Sequence, residues 1–196
     1  MLSASQISLA NQVAQSLIDN GAPSDKLGWL IGQISIEGSN FTNPIGLNHN
    51  NWGGIKFENQ NTPGIYDSGV VSSEGDNYAG YDSIDDFSKD YLRILTTVDK
   101  HQPLQQTTPE AFVTALKADG YFGGSLTDYI NIVKTNSVYY LKNVLKNIEQ
   151  DVKDAATATI TTITTVKTNV KNNPGSTAII LLLIGLGLYG ASKINF

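Results

Sequence analysis

SDKLGWLIGQISIEG, residues 24 to 38, is the stretch on which the reading of the fold turns. It follows Pro23, offers Ser24 as an N-cap, and sets Leu27, Leu30, Ile31 and Ile34 at helical spacing up to Glu37-Gly38. The spacing predicts a helix with one apolar stripe, and Glu37 falls on the extension of that stripe. A carboxylate there is costly to bury unless it is paired or protonated. Desolvation and the negative end of the helix macrodipole would both raise its pKa. A carboxyl group that keeps its proton near neutral pH can serve as a general acid. Periodicity alone leaves a second reading open, a surface Glu on the rim of the helix.

Outward from this helix, other segments carry their own signals. Ile7, Ala10, Val13, Leu17 and Ile18 make one face of an earlier helix that stops at Asn20-Gly21. Later helices are announced by Ser83 with Asp86 three residues on, by Thr108-Pro109, and by Ser125 or Thr127 ahead of Tyr129, Ile132 and Val133. Gly120 fits the end of the Thr108 helix. Between Trp52 and Tyr81, glycines interrupt short segments such as IKF, IY, VVSS and NYAGY, which predicts a small β-hairpin or meander. The fold class is therefore α+β, mainly helical, with a ligand groove between the β segment and the helices.

Cysteine is absent and the two histidines, His49 and His101, lie far apart, so metal-free chemistry without a cofactor is expected. Residues 1 to 150 hold 16 Asp and Glu against 9 Lys and Arg, while residues 151 to 196 hold 2 against 4. An acidic domain argues against nucleic acid as a partner, because affinity for a phosphate backbone rests mainly on Lys and Arg. The start of the chain shows neither a basic n-region nor an apolar h-region, so export by a standard signal peptide is not expected.

After about Glu149 the composition turns to Thr, Ala, Val and Lys, and NNPGS (172 to 176) breaks the run. From Thr177 to Ser192 the chain reads TAIILLLIGLGLYGAS without a charge. Sixteen such residues make a helix of about 24 Å, short of the roughly 30 Å hydrocarbon core unless Ile194 and Phe196 extend it. The expected organisation is a catalytic domain over 1–149, a Thr-rich stalk and hinge over 150–176, and a membrane anchor over 177–196 that makes the lipid bilayer a partner. A buried core helix is the competing reading of the last segment. Lys167 and Lys171 on one side and Lys193 on the other give no orientation.

Four segments in order, ISIEGSNF (34 to 41), NNWGGIKF (50 to 57), SSEGDNYAGYDSIDDFSKDY (72 to 91) and LKADGYF (116 to 122), followed by Tyr129, resemble the glucosaminidase family of peptidoglycan hydrolases. The resemblance covers roughly residues 5 to 145 and implies a lysozyme-like fold. It implies Glu37 as the catalytic acid and Glu74, in SSEG, as the second catalytic carboxylate, with Asp67, Asp76 and Asp82 as neighbours able to take that place. It points to Asn51, Ile55, Tyr121 and Tyr129 as groove residues. Trp52 and Tyr78, with Tyr66 and Tyr81, could add aromatic faces for the sugars. The chain departs from the family at Glu37-Gly38-Ser39-Asn40-Phe41, where Glu-Ser-Gly-Trp is frequent, and at Gly53, where Phe is common.

The implied reaction is cleavage of the β-1,4 glycan strand of peptidoglycan, at N-acetylglucosamine, by general acid catalysis. A lytic transglycosylase is the rival enzyme. A non-catalytic glycan-binding protein and a membrane-associated structural protein are the rivals outside enzymes. The missing signal and the terminal anchor suggest a bacteriophage enzyme in a virion membrane or the bacterial inner membrane, or a cellular tail-anchored protein. The oligomeric state is not legible.

Overall fold

Ser3 opens the first helix, α1 (Ala4–Asp19), with a reciprocal cap: its Oγ accepts from the Gln6 amide, while the Gln6 side chain accepts from the Ser3 amide. The structure is a computed structural model, and it describes residues 2–58 and 62–143. These fall within one unit, Met1–Leu145. The expected stalk (150–176) and anchor (177–196) lie outside the described residues. Among the described residues no helix is long and apolar enough to cross a membrane.

The helix that carries Glu37, α2 (Leu27–Glu37), starts later than the sequence suggested. Residues Ser24–Lys26 form a 3-10 turn whose i to i+3 bonds occupy the first free amides, so Ser24 does not act as the cap. Leu27, Gly28, Leu30, Ile31, Gly32, Gln33, Ile34 and Ser35 are all buried, which makes α2 a central helix rather than one with a single inward stripe. Two glycines one turn apart allow a close crossing with the last described helix, α6 (residues 126–143). A Cβ at Gly32 would stand 2.7 Å from the Val133 carbonyl oxygen and 2.8 Å from Ser137 Oγ, and one at Gly28 would stand 2.6 Å from Leu141 Cδ1. This contact holds Tyr129, one turn before Val133, close to the end of α2.

A short helix, α3 (Pro44–His49), follows α2. Asn43 caps it with Oδ1 accepting from the Gly46 amide at 2.6 Å, and Asn50 ends it in the left-handed conformation at φ 53°. The Trp52 ring lies flat against Gly46, where a Cβ would come within 2.2 Å of Cε3. Trp52 also meets Phe41 with ring centroids 5.5 Å apart.

The sheet is a two-stranded antiparallel hairpin of β1 (Ile65–Val71) and β2 (Asn77–Tyr81), with Ile65 opposite Tyr81 and a bulge between Asp67 and Val71. Residues 55 to 57 lie along β2 as well, through the Ala79 amide on Ile55 O, the Phe57 amide on Asn77 O, and a bridge between Lys56 and Tyr78. The β-rich region read between Trp52 and Tyr81 is thus this hairpin plus one short added segment.

Ser83 and Thr108 cap α4 (Ile84–Arg93) and α5 (Pro109–Ala118), as their spacing predicted. A single π turn, Ile94–Val98, extends α4, and a 3-10 turn, Pro103–Gln105, precedes α5. Helix α1 packs on both α2 and α4. Phe87, Tyr91, Phe112, Leu17, Leu30, Ile34 and Leu116 fill the interior, each worth roughly 1.5–3 kcal/mol of apolar transfer. The architecture is α+β and mainly helical.

Candidate active site

Gln33 and Glu37 are one turn apart on α2, and Tyr129 of α6 faces both. Tyr129 Oη donates to Glu37 Oε1 at 2.5 Å and accepts from Gln33 Nε2 at 3.3 Å. Behind them, Tyr91 Oη donates to Gln33 Oε1 at 2.6 Å. The chain Tyr91–Gln33–Tyr129–Glu37 therefore runs in one direction and fixes where the tyrosine proton points. Phe122 covers the tyrosine, its ring stacked at 3.8 Å and 8° from that of Tyr129.

Burial raises the pKa of Glu37, and the hydrogen bond from Tyr129 works against that rise. With Oε1 engaged as an acceptor, the acid proton belongs on Oε2. That oxygen lies toward Gly54, where an added Cβ would stand 3.6 Å from it. Gly54 borders a groove of about 680 Å³, whose wall also includes Tyr121 and Phe122. Glu37 itself is not in the groove lining, so its proton is presented at the Gly54 edge.

The turn after Glu37 is strained. Ser39, Asn40 and Phe41 all have positive φ, at 48°, 55° and 64°. Each such non-glycine residue costs on the order of 1–3 kcal/mol, and strain of this kind gathers at functional sites. Asn43 steadies the turn by donating from Nδ2 to the Glu37 carbonyl at 3.0 Å.

The other predicted residues divide. Tyr121 lines the groove and donates its hydroxyl to Gly53 O at 2.8 Å, while Ile55, though mostly buried, also reaches the groove wall. Glu74 lines the same groove from the hairpin turn, its side chain 75% exposed and paired with Lys56 at 3.2 Å. Of its neighbours, Asp76 lines the groove too. Asp67 instead accepts from the Gly69 amide and Asn77 Nδ2 inside the hairpin, and Asp82 is outside the groove lining. Tyr78 is half-buried beneath Lys56, whose ammonium lies 4.9 Å from the ring centroid. Tyr66 is exposed at the hairpin edge beside His49, and Tyr81 is buried with its hydroxyl on Asp90 at 2.9 Å.

Asn51 and Trp52, expected in the groove, are placed inside the protein. Asn51 is fully buried and spends its amide on the chain itself, donating to Ile55 O and Ala79 O at 2.8 Å and accepting from the Ile55 amide at 2.9 Å. It ties the Gly53–Ile55 loop to β2. Trp52 is 1% exposed and packs between Gly46 and Phe41.

Sequence reasoning missed Gln33, which lies off the Leu27–Ile34 stripe, and Phe122, which has no helical or strand periodicity to mark it. It also missed the groove wall from Arg93 to His101, where His101 Nδ1 meets Asp119 at 2.6 Å and Asp99 adjoins them. Among the described residues no group of three or more His, Asp or Glu side chains is placed to hold a metal ion.

No protein-family description and no curated protein matches the chain. Two solved structures are similar. A chain from a type VI secretion system effector–immunity complex of Pseudomonas protegens is 22% identical, over 68% of this chain and 92% of that one, with a TM-score of 0.46. A peptidoglycan hydrolase from Sphingomonas sp. A1 is 20% identical, over 70% of this chain and 87% of that one, with a TM-score of 0.50. At this identity the second likeness concerns the fold alone: the chain shares the fold of that structure.

Proposed function

We propose that this chain cleaves the β-1,4 glycan strand of peptidoglycan, at N-acetylglucosamine, with Glu37 as general acid. The observation that supports the reading best is the carboxyl group itself: half-buried, its pKa raised by desolvation, hydrogen-bonded by Tyr129, and set beside Gly54 at the edge of the groove. Protonation of the leaving oxygen by Oε2 would give the sugar oxocarbenium character, and a carboxylate across the groove would assist or activate water. Glu74 and Asp76 line the same groove from the hairpin turn and are the carboxylates offered for that role. Release of reducing sugars from purified cell wall by the full chain tests the reading. Glu37→Gln should lower the rate on the order of 10² to 10⁴-fold. Activity near that of the parent, with the fold intact, rules it out.

The exposure of Glu74 and its pairing with Lys56 favour a second reading, in which Glu37 acts alone, first as acid and then as base, and a sugar hydroxyl replaces water. An anhydro-ring product and an active Glu74→Gln, Asp76→Asn variant would select this lytic transglycosylase chemistry. Attachment to a membrane through residues 177–196 is a separate proposal. It requires the full chain to float with lipid vesicles, and recovery of the chain in the aqueous fraction would remove it.

A further inference from the structure

Between α5 and α6 the chain runs Gly120-Tyr121-Phe122-Gly123-Gly124. A Cβ added at Gly120, Gly123 or Gly124 would meet nothing within 4 Å, so the backbone of this loop stands clear of neighbouring side chains at those positions. Lys117, in the last turn of α5, reaches over it. Its ammonium donates to the carbonyl oxygens of Phe122 at 3.4 Å, Gly123 at 2.9 Å and Gly124 at 2.7 Å. An ammonium has three donors, and all three are spent here on one loop. The same nitrogen lies 5.1 Å from the centroid of the Phe122 ring.

Phe122 is the residue stacked on Tyr129, and Tyr129 holds Glu37. We propose that Lys117 is a positioning residue: by gathering three carbonyls of a glycine-rich loop it keeps Phe122 over Tyr129 and water away from the Glu37 carboxyl group. Glycine backbones have the most conformational freedom to lose, so without the tether the loop spreads over many states. The freed carbonyls are near the surface and can turn to water, so the loss falls on the site more than on the fold. The proposal rests on Glu37 as the acid for its catalytic consequence, but the hydration of Glu37 is measurable without any reaction.

The test uses the full chain and follows the titration of Glu37 by carboxyl carbon NMR, alongside kcat/KM on purified cell wall as a function of pH. Lys117→Met should move the Glu37 titration down toward the ordinary carboxylate range, shift the alkaline limb of the rate profile to lower pH, and lower kcat/KM on the order of 10- to 100-fold. Lys117→Arg, which can still donate to several carbonyls, should stay near the parent. Phe122→Leu should reproduce the Lys117→Met shift, and the double variant should go no further than either single one. An unmoved Glu37 titration in Lys117→Met, or fully additive effects in the double variant, overturns the proposal. If Lys117→Met does not fold, an unmoved titration in Phe122→Leu overturns it equally. If the parent chain proves inactive on cell wall, the reading of Glu37 as an acid falls while the NMR arm still decides the role of Lys117.

Discussion

Tyr129 Oη and Glu37 Oε1, 92 residues apart in sequence, lie 2.5 Å apart, and the tyrosine is the donor because its oxygen already accepts from Gln33. The bond stabilises the ionised carboxylate, so it holds the pKa of Glu37 below the level that burial alone would set. Tyr129→Phe removes that restraint and leaves the stack on Phe122 in place. The pKa of Glu37 then rises further, and under the proposed function the acid, which must be protonated, works to higher pH. The alkaline limb of kcat/KM should move up, with the rate at the optimum reduced on the order of tenfold through the lost charge-assisted bond. A limb that moves down in the pH–rate profile contradicts this assignment.

Glu37→Gln should also be read by thermal unfolding. Because the folded pKa is raised, the unfolded chain ionises first as pH rises above the ordinary value of 4.5, and the parent loses stability from there until the folded group ionises too. Glutamine cannot ionise and escapes that loss. The melting temperature of the variant relative to the parent should therefore climb as the pH rises above 4.5. A difference that is flat with pH would show that Glu37 titrates normally.

Asp99, in the groove lining, offers an independent case. Burial first, and the Asp119 carboxylate second, push its pKa up to about 6, and its Oδ2 is buried without a hydrogen-bond partner among the described residues. In the window from 3.8 to about 6 the unfolded state gives up its proton before the folded state does, so stability falls with rising pH. Asp99→Asn should be spared, with a gain over the parent that vanishes below pH 3.8, grows through the window and levels off above about 6. Differential scanning calorimetry across that range checks it.

Gly32→Ala probes the crossing of α2 and α6. The nearest atoms include the Val133 carbonyl oxygen at 2.7 Å and the Ser137 amide at 3.1 Å, which are backbone and cannot swing aside. The helices must separate, at a cost of about 1–3 kcal/mol, and Tyr129 moves away from Glu37 with them. Chemical denaturation should show the loss of stability, and the pH–rate profile should shift in the same direction as for Tyr129→Phe. A destabilised variant with an unchanged profile would mean that α6 repacks without disturbing the site.

The parts of the fold that the sequence displayed are those whose signals are local. Ser83 with Asp86 and Thr108-Pro109 state where α4 and α5 begin, because a cap needs only its own first turn. The signature Asn43-Pro44 carries the same information for α3 and passed unread. The π turn after Arg93 has no comparable local mark. Asn51 and Trp52 show the other limit: an amide and an indole suit a sugar groove and a protein interior equally well, and only the tertiary contacts of Ile55, Ala79, Gly46 and Phe41 decide between them. Glu37 was visible because a carboxylate on an apolar face is anomalous wherever the chain goes. Its partners Gln33, Tyr91 and Phe122 were not, because each is ordinary in its own segment.

The amide knot at Asn51 has a thermodynamic corollary. Asn51 fastens the loop bearing Gly54 to β2, so the rim over Glu37 Oε2 and the hairpin with Glu74 and Asp76 travel together. A ligand that drew the hairpin inward would press the rim onto the carboxyl group and desolvate it further, which would favour the neutral form. Docking and proton uptake are then reciprocal: the protonated site holds the ligand more tightly by the same factor by which the ligand raises proton affinity. In unbuffered solution, filling the groove would turn the medium slightly alkaline before any bond is broken.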